Sequence, residues 1–361
     1  MENIHKKYLL KAHLLAKRNF GKTFPNPSVG CLIVKNKKII AKGITASAGR
    51  PHAEEVALKI AGKNSKGSTL YVTLEPCNHK SYNGSCTNQI IRSRVKKVFI
   101  ATIDPDPRTN KKSIRKLIQN KIDTHYGITS EKTYILNKFF FISQKKNMPF
   151  TKVKMAISVD EKIAKYNYKS KWISNSESRK FAHKLRNFSQ VILTTSKTII
   201  KDNPRFTVRK DNKVIKYMPV IVIDNSLKIP INSRVLKYMP RRRVIVFTST
   251  KNKKYEILKR LGCEIILMKK DKNSKLSLKK IFKKIFLLGI KDILVESGGI
   301  LLTELLKNNL VDEMHIFKSQ KVIGNKGIPL IIGKSINDIN FVNIHKKKFG
   351  NDEYSNYVIN S

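Results

Sequence analysis

The chain has 361 residues, of which 40% are apolar, and it carries a formal net charge of +49 from 74 Lys and Arg against 25 Asp and Glu. That length exceeds what one hydrophobic core usually fills, so two folded domains are expected rather than one. No apolar run nears the ~20 residues of a membrane span, and four cysteines with no signal peptide point to a reducing cytoplasm.

The charge is mostly lysine: 59 residues, against 15 arginines. It is spread along a chain rich in Ile and Asn, as AT-rich coding sequence would give, and RRR at 241–243 is the only dense arginine cluster. Weak, non-specific attraction of polyanions follows from such a balance, whereas sequence-specific nucleic-acid binding does not.

In chain order, MENIHKKYLLKAHLLAKRNF spaces Tyr8, Leu9, Ala12, Leu15 and Ala16 as the buried stripe of a first helix. Residues 29–34 and 38–41 read as two strands turning at KNK. PHAEEVALKIAG reads as a helix with Pro51 in its first turn, Ala53, Val56, Ala57, Ile60 and Ala61 inward, and Gly62 as its stop. STLYVTLEP is a strand, CTNQIIRSRV a short helix and KKVFIAT the next strand. A break follows near residues 145–150, which divides the chain into domains at 1–146 and 147–361. Beyond it TKVKMAIS, VILTTS, MPVIVID, RRRVIVFTS, CEIILM, KDILVESGG and EMHIFKS read as strands, with helices at 176–188 and ILLTELLKNNL. Alternation of this kind makes both halves layered α/β domains.

Three features of the first half converge on a metal. His52 and Glu54 stand in HAE at a helix start, Cys77 follows Pro76 after a strand, and Cys86 lies nine positions further on. One imidazole and two thiolates suit Zn²⁺, and three protein ligands leave the open corner that catalysis needs. Glu54, two residues from His52, can reach a water there and carry a proton from it to a leaving amine. Cys77, close to a presumed helix start, would have its thiolate favoured by the helix dipole. A disulfide between Cys77 and Cys86 is the competing reading, disfavoured in a reducing compartment. The pattern is that of zinc deaminases, H-x-E followed by P-C, except that eight residues instead of two separate the cysteines.

In the second half, DILVESGGILLTELL is a strand, a tight turn at Gly298 and Gly299, and a helix whose N-terminus could face a phosphate. Ser170, Trp172, Arg186 and Arg209 stand in polar, basic stretches, and arginine can grip phosphate with two prongs. There is no G-x-G-x-x-G fingerprint.

TFPNPSVGCLIV, RPHAEEVAL, YVTLEPCNH and the Cys-x8-Cys spacing resemble the bifunctional riboflavin biosynthesis family. In that family a diaminohydroxyphosphoribosylaminopyrimidine deaminase is joined to a 5-amino-6-(5-phosphoribosylamino)uracil reductase. KMAISVD, SKWIS, HKLR, TTSKTIIKDNPRFTVR and VESGGILLTELLKNNLVDE extend the resemblance over nearly the whole chain. It implies a cytidine-deaminase-like three-layer α/β/α domain followed by a dihydrofolate-reductase-like α/β domain.

The resemblance also implies roles. One Zn²⁺ would sit on His52, Cys77 and Cys86, with Glu54 as proton shuttle and Asn26 lining the pyrimidine pocket. His79 would lie near the substrate without ligating, and Cys31 and Cys263 would be buried fillers. NADPH would be held by Ala156, Trp172, Thr198, Asp202 and the turn Gly298, Gly299, Ile300, Leu301, Leu302, Thr303 and Glu304. A phosphorylated pyrimidine would meet Ser170, Arg186, Phe206, Arg209 and Glu296, with the arginines on its 5′-phosphate. No specific nucleic acid and no membrane are implied as partners, and a homodimer is the expected assembly.

The chain departs from the family at SYNGSC before the second ligand cysteine, at RTNKKS after DPDP, at Glu161 and Tyr168 in place of glycines, and at Asn203 within DNP. A working but less stable reductase is therefore expected. A zinc-dependent tRNA-type deaminase, a zinc-stapled scaffold, and a partly decayed protein with one active half remain as alternatives.

Overall fold

The structure is a computed structural model and describes residues 2–79, 84–167, 173–271, 274–333 and 339–360. The chain divides into two compact units, Met1–Asn147 and Met148–Ser361.

The first unit runs α1 (Glu2–Arg18), β1 (Gly30–Lys35), β2 (Lys38–Ile44), α2 (Ala53–Ala61), β3 (Thr69–Leu74), α3 (Cys86–Arg92), β4 (Lys97–Thr102), α4 (Lys112–Gln119), β5 (Asp123–Tyr126), α5 (Ser130–Leu136) and α6 (Lys138–Lys146). Its strands form one sheet in the order β2-β1-β3-β4-β5. β1 runs antiparallel to β2 and β3, while β3, β4 and β5 are parallel. The stripe read from the sequence packs α1 on one face, with Leu9 and Ala12 fully buried against Leu32, Tyr71 and Phe99, and Ala16 fully buried as well. Each large side chain so buried contributes roughly 2 kcal/mol.

Two glycines set the layer spacing. A Cβ on Gly30 would lie 2.0 Å from the Ala12 carbonyl oxygen in α1. A Cβ on Gly43 would lie 1.9 Å from that of Ala53 in α2. Gly43 pairs with Cys31, the neighbour of Gly30, so the two glycines face opposite sides. The helices therefore cover opposite faces, giving three layers. α2 starts later than its sequence suggests. His52 is its N-cap and Glu55 Oε2 accepts the His52 N–H at 2.7 Å, so Pro51 precedes the helix.

The second unit runs β6 (Phe150–Ile157), β7 (Lys162–Ala164), α7 (Ser176–Asn187), β8 (Val191–Thr195), α8 (Ser196–Asp202), β9 (Thr207–Lys210), β10 (Lys213–Tyr217), β11 (Val220–Ile223), α9 (Arg234–Lys237), β12 (Val244–Thr248), α10 (Lys253–Arg260), β13 (Glu264–Leu267), α11 (Leu278–Leu287), β14 (Asp292–Val295), α12 (Gly299–Lys307), β15 (Glu313–Lys318), β16 (Ile328–Pro329), β17 (Asn340–Phe349) and β18 (Asp352–Asn360). Nine strands form one sheet in the order β13-β12-β11-β8-β14-β6-β15-β18-β17. It is parallel from β13 to β15 and ends in the antiparallel hairpin of β18 and β17.

VIVI is apolar at every position, and VIVFT at all but its last, because both faces are covered. Ile221, Ile245 and Phe247 join α11 and α12 in one core, while Val220, Val222, Val244 and Val246 join Ile199, Phe206 and Leu258 in another. Arg241–Arg243 lie before β12 rather than inside it. Among the described residues no helix is long and apolar enough to cross a membrane.

Candidate functional site

In the first unit the chemistry gathers beyond the carboxyl ends of the parallel strands β3 and β4, where α/β sheets hold ligands. His52 Nδ1 or Nε2, Cys77 Sγ and Cys86 Sγ all lie within 4.8 Å of one another. His52 Nδ1 faces Cys86 Sγ at 3.4 Å, and its Nε2 lies 3.5 Å from the Asn26 amide nitrogen. Asn26 in turn donates to the Gly49 carbonyl at 2.8 Å, which fixes the ring's rotation. All four cysteines are free thiols and buried, so Cys77 and Cys86 form no disulfide.

The expected helix start at Cys77 is corrected: the helix α3 begins at Cys86, because Ser85 accepts the Asn88 N–H and caps it there. The Cys86 backbone N–H points at Cys77 Sγ from 3.4 Å. Cys77 still receives help from that helix end, across the gap rather than along its own chain. Hydrogen bonding from the Cys86 thiol, and then from His52 and the Cys86 N–H, holds the Cys77 thiol well below its usual range despite burial. Cys86 is pushed up as the donating partner.

One soft anion, a second thiol and an imidazole with its far nitrogen already engaged form a donor set that fits Zn²⁺. Glu54, in the first turn of α2, is only 4% exposed. Burial raises its pKa to about 7, His52 opposing and Cys77 adding to the rise. His79 and Cys31 stand outside the cluster; Cys31 is buried in β1.

The altered loop after DPDP is tied down from β3. Glu75 accepts the N–H groups of Asp104 and Lys111, each at 3.1 Å, and the Ser113 hydroxyl at 2.6 Å. Lys111 sits at φ 56, a left-handed position that a glycine-rich turn fills without strain. Burial, reinforced by Asp106 and Glu75 against a backbone hydrogen bond from Asp106, pushes Asp104 up to about 8. Sequence reasoning did not single out Asp104; a carboxylate in a Pro-punctuated turn at a parallel strand's end was the available signal.

The second unit holds a cavity of about 680 Å³ beyond the carboxyl ends of β6, β8, β11 and β14. Ala156, Arg186, Thr198, Asp202, Phe206, Arg209, Glu296, Gly298, Gly299, Ile300, Leu301 and Glu304 line it. Leu302 and Thr303 do not. Leu302 is 1% exposed in the core, and Thr303 gives its hydroxyl to the Gly299 carbonyl and accepts the Ile332 N–H. On a helix, only the face carrying residues 300, 301 and 304 turns to the cavity. Ser170 and Trp172, with Tyr168, lie outside the described residues.

Arg186 lines the cavity as one half of an ion pair. Its Nε and Nη2 donate to the two Glu296 oxygens at 2.5 and 2.8 Å, and its Nη1 donates to the Thr207 carbonyl at 3.0 Å. Burial works against the Glu296 charge, but Arg186 overrides it and holds the carboxyl down at about 2. Arg209 is exposed at the cavity wall.

Two further residues emerge here. Burial lowers the Lys154 ammonium, with Glu296 and Asp202 opposing and Arg186 adding to the fall. His183 is pulled down to about 4 by burial and then by Arg186 and Arg209, so it is neutral at pH 7. Lys154 was legible: it stands two residues before Ala156 on the same face of β6. Thr195, Thr198 and Ser297 add a triangle of hydroxyls with edges of 3.2, 3.1 and 3.4 Å.

Family profiles match both halves. That of the RibD C-terminal domain covers residues 149–353, and that of the cytidine and deoxycytidylate deaminase zinc-binding region covers residues 2–102. The riboflavin biosynthesis protein RibD of Aquifex aeolicus (strain VF5) is 38% identical over 358 residues, covering 97% of this chain and 96% of that one. RibD of Escherichia coli (strain K12) is 32% identical over 327 residues, 88% of each chain. Among solved structures, Acinetobacter baumannii RibD, form 1, is 27% identical with a TM-score of 0.89 over 100% of both chains. The diaminohydroxyphosphoribosylaminopyrimidine deaminase/5-amino-6-(5-phosphoribosylamino)uracil reductase of Thermotoga maritima is 29% identical with a TM-score of 0.84 over 99% of both. A soft three-donor cluster beside a buried glutamate, a separate cavity at a parallel sheet's carboxyl edge, and near full-length identity above 30% agree: the chain belongs to the RibD family of bifunctional riboflavin biosynthesis enzymes.

Proposed function

We propose that residues 1–146 catalyse the zinc-dependent deamination of 2,5-diamino-6-(5-phosphoribosylamino)pyrimidin-4-one, and that residues 147–361 reduce the ribosyl chain of the product to ribityl with NADPH. The division at residue 147 between compact units supports assigning one reaction to each. The observation that carries the reading is the convergence of His52, Cys77 and Cys86 within 4.8 Å, beside the buried Glu54, in a chain with a RibD C-terminal domain.

His52, Cys77 and Cys86 hold Zn²⁺, and Asn26 keeps the imidazole turned toward the sulfurs. When bound, zinc supplies a Lewis acid that makes water acidic enough to act at neutral pH. Glu54 carries a proton on its carboxylate from the attacking water to the leaving amine. In the second unit, Thr198, Asp202 and the turn at Gly298–Gly299 hold NADPH, which supplies the hydride. Glu296, fixed by Arg186, orients the sugar chain, and Arg209 takes the 5′-phosphate. Lys154 holds a proton at Nζ for the oxygen or nitrogen left after reduction. Such a reaction depends chiefly on positioning, and the wall of paired charges supplies it.

The cytoplasm is the compartment we assign, supported by four free cysteines. A homodimer is the assembly we assign by family likeness; sedimentation at micromolar concentration tests it. The function itself is tested with the full chain loaded with zinc. Given the diaminopyrimidine substrate and NADPH, it should release ammonia and then consume NADPH. Glu54→Gln should keep the zinc and lower ammonia release at least about a hundredfold, since it removes the proton carrier alone. Ammonia release by Glu54→Gln at the wild-type rate would overturn the assignment.

A further inference from the structure

The arginine run at 241–243 belongs neither to the three-donor cluster nor to the lining of the cavity. Each of its members is engaged within the second unit. Arg241 donates to the Tyr217 hydroxyl at 3.0 Å, and Arg243 donates to both oxygens of Glu264 at 2.5 and 2.7 Å. Both of these are exposed. Arg242 is different: it is 7% exposed, and its guanidinium lies against the rings of Tyr217 and Tyr238, 5.4 and 5.7 Å from their centres. Its Nη2 donates to the Arg205 carbonyl at 2.7 Å and its Nη1 to the Phe206 carbonyl at 3.4 Å, while its Nε has no acceptor among the described residues.

The segment it holds is unusual. Phe206 has φ 44, a left-handed conformation that is a genuine outlier for a bulky aromatic and persists only when its surroundings over-determine it. The restraints are on the carbonyls. Arg205 O is held by Arg242, Phe206 O by Arg242 and the Met218 N–H at 3.1 Å, and Thr207 O by Arg186. This backbone sets the Phe206 ring under the Arg186 guanidinium at 5.9 Å and leads directly into β9, which carries Arg209. Phe206, Arg186 and Arg209 all line the cavity.

We propose that Arg242 is a positioning residue for the reductase substrate: its two hydrogen bonds to the Arg205 and Phe206 carbonyls keep the left-handed turn that seats Phe206 and delivers Arg209 to the cavity. The proposal rests on the reading of Phe206 and Arg209 as substrate contacts. Lysine is a poor replacement for this arginine, because an ammonium has no plane to lie against the two tyrosines and does not hold its donors in a fixed fork toward the two carbonyls.

The test uses the full-length, zinc-loaded chain. Arg242→Ala and Arg242→Lys should each raise KM for the deaminated phosphorylated substrate about tenfold, the loss expected for charge-assisted hydrogen bonds. KM for NADPH and kcat at saturation should stay within about twofold, the signature of lost substrate binding rather than lost chemistry. Millimolar methylguanidinium should restore the KM of Arg242→Ala. An unchanged substrate KM overturns the proposal. So does a parallel fall in kcat and in affinity for both NADPH and substrate, which marks a merely weakened fold. If Arg242→Ala does not fold, Arg242→Lys decides in the same assay. Hydrogen exchange decides independently of turnover: faster exchange confined to residues 204–210 in Arg242→Lys supports the proposal, and unchanged exchange there overturns it. A wild-type chain that oxidises no NADPH would refute the reading of the cavity, while the exchange result would still judge Arg242.

Discussion

Glu296 and Arg186 show how much of a residue's setting its type leaves unsaid. Read in sequence, Arg186 is a basic residue in a polar stretch; in the structure it donates to Glu296 and Thr207 and keeps a buried carboxylate ionised. Nothing local to HKLR announces a partner 110 residues away. The pair makes stability depend on pH in a definite direction. A carboxyl whose pKa falls from 4.5 in the unfolded chain to about 2 in the folded one stabilises the fold above pH 4.5 and ceases to do so as pH falls toward 2. That displacement is worth about 3 kcal/mol. Glu296→Gln, which leaves Arg186 buried without its counter-charge, should therefore destabilise the second unit by about 3 kcal/mol at pH 7. The gap between variant and wild type should narrow steadily from pH 4.5 to pH 2. Urea unfolding followed by the fluorescence of the chain's single tryptophan measures both; a gap that persists undiminished at pH 2.5 would remove the ion pair from the explanation.

Elements were more legible than roles. The apolar runs of the parallel sheet, the α1 stripe and the helix after Gly298–Gly299 all lie where their patterns put them, because a strand covered on both faces leaves an uninterrupted apolar signature. The β9–β10 and β17–β18 hairpins were not legible. KVIKY and NFVNIHKKKF mix apolar residues with lysines and are mostly exposed, so no core face imposes an alternation on them. Two departures from the family fall at left-handed positions: Glu161, in place of a glycine, sits at φ 60, and Asn203, within DNP, at φ 39, where asparagine is the more at ease of the two. Glu161 at that φ costs about 1 kcal/mol relative to glycine.

The glycine whose loss should matter most at this scale is Gly43. It lets α2 lie against β2, and α2 carries His52 at its cap and Glu54 in its first turn. A Cβ 1.9 Å from the Ala53 carbonyl must push that turn outward, since backbone cannot move aside as a side chain can. Gly43→Ala should lower zinc affinity about tenfold, in the range found when groups that orient a ligand are disturbed. Competition with a chromogenic chelator measures it, and unaltered affinity would show that the sheet, not the helix, yields.

At the scale of the whole molecule the charge finds a use that its cause need not have supplied. Of the run at 241–243, Arg242 is buried and Arg243 is paired with Glu264, so the run presents one uncompensated exposed arginine among many lysines. Both proposed small-molecule substrates, a phosphorylated pyrimidine and NADPH, are anions. A net charge of +49 raises their local concentration and so speeds encounter, but it cannot alter a barrier crossed after binding. Salt therefore separates the two. With the Debye length falling from roughly 20 Å at 20 mM to about 6 Å at 300 mM, kcat/KM for each reaction should fall by about tenfold while kcat changes less than twofold. RNA added at low salt should inhibit by occupying the same field. Its affinity should fall log-linearly with salt and show no preference among sequences, since lysines on phosphates release counterions without reading bases. Inhibition by one sequence that survives physiological salt would show that a surface on this chain recognises nucleic acid. A flat kcat/KM would leave the lysines without part in either reaction.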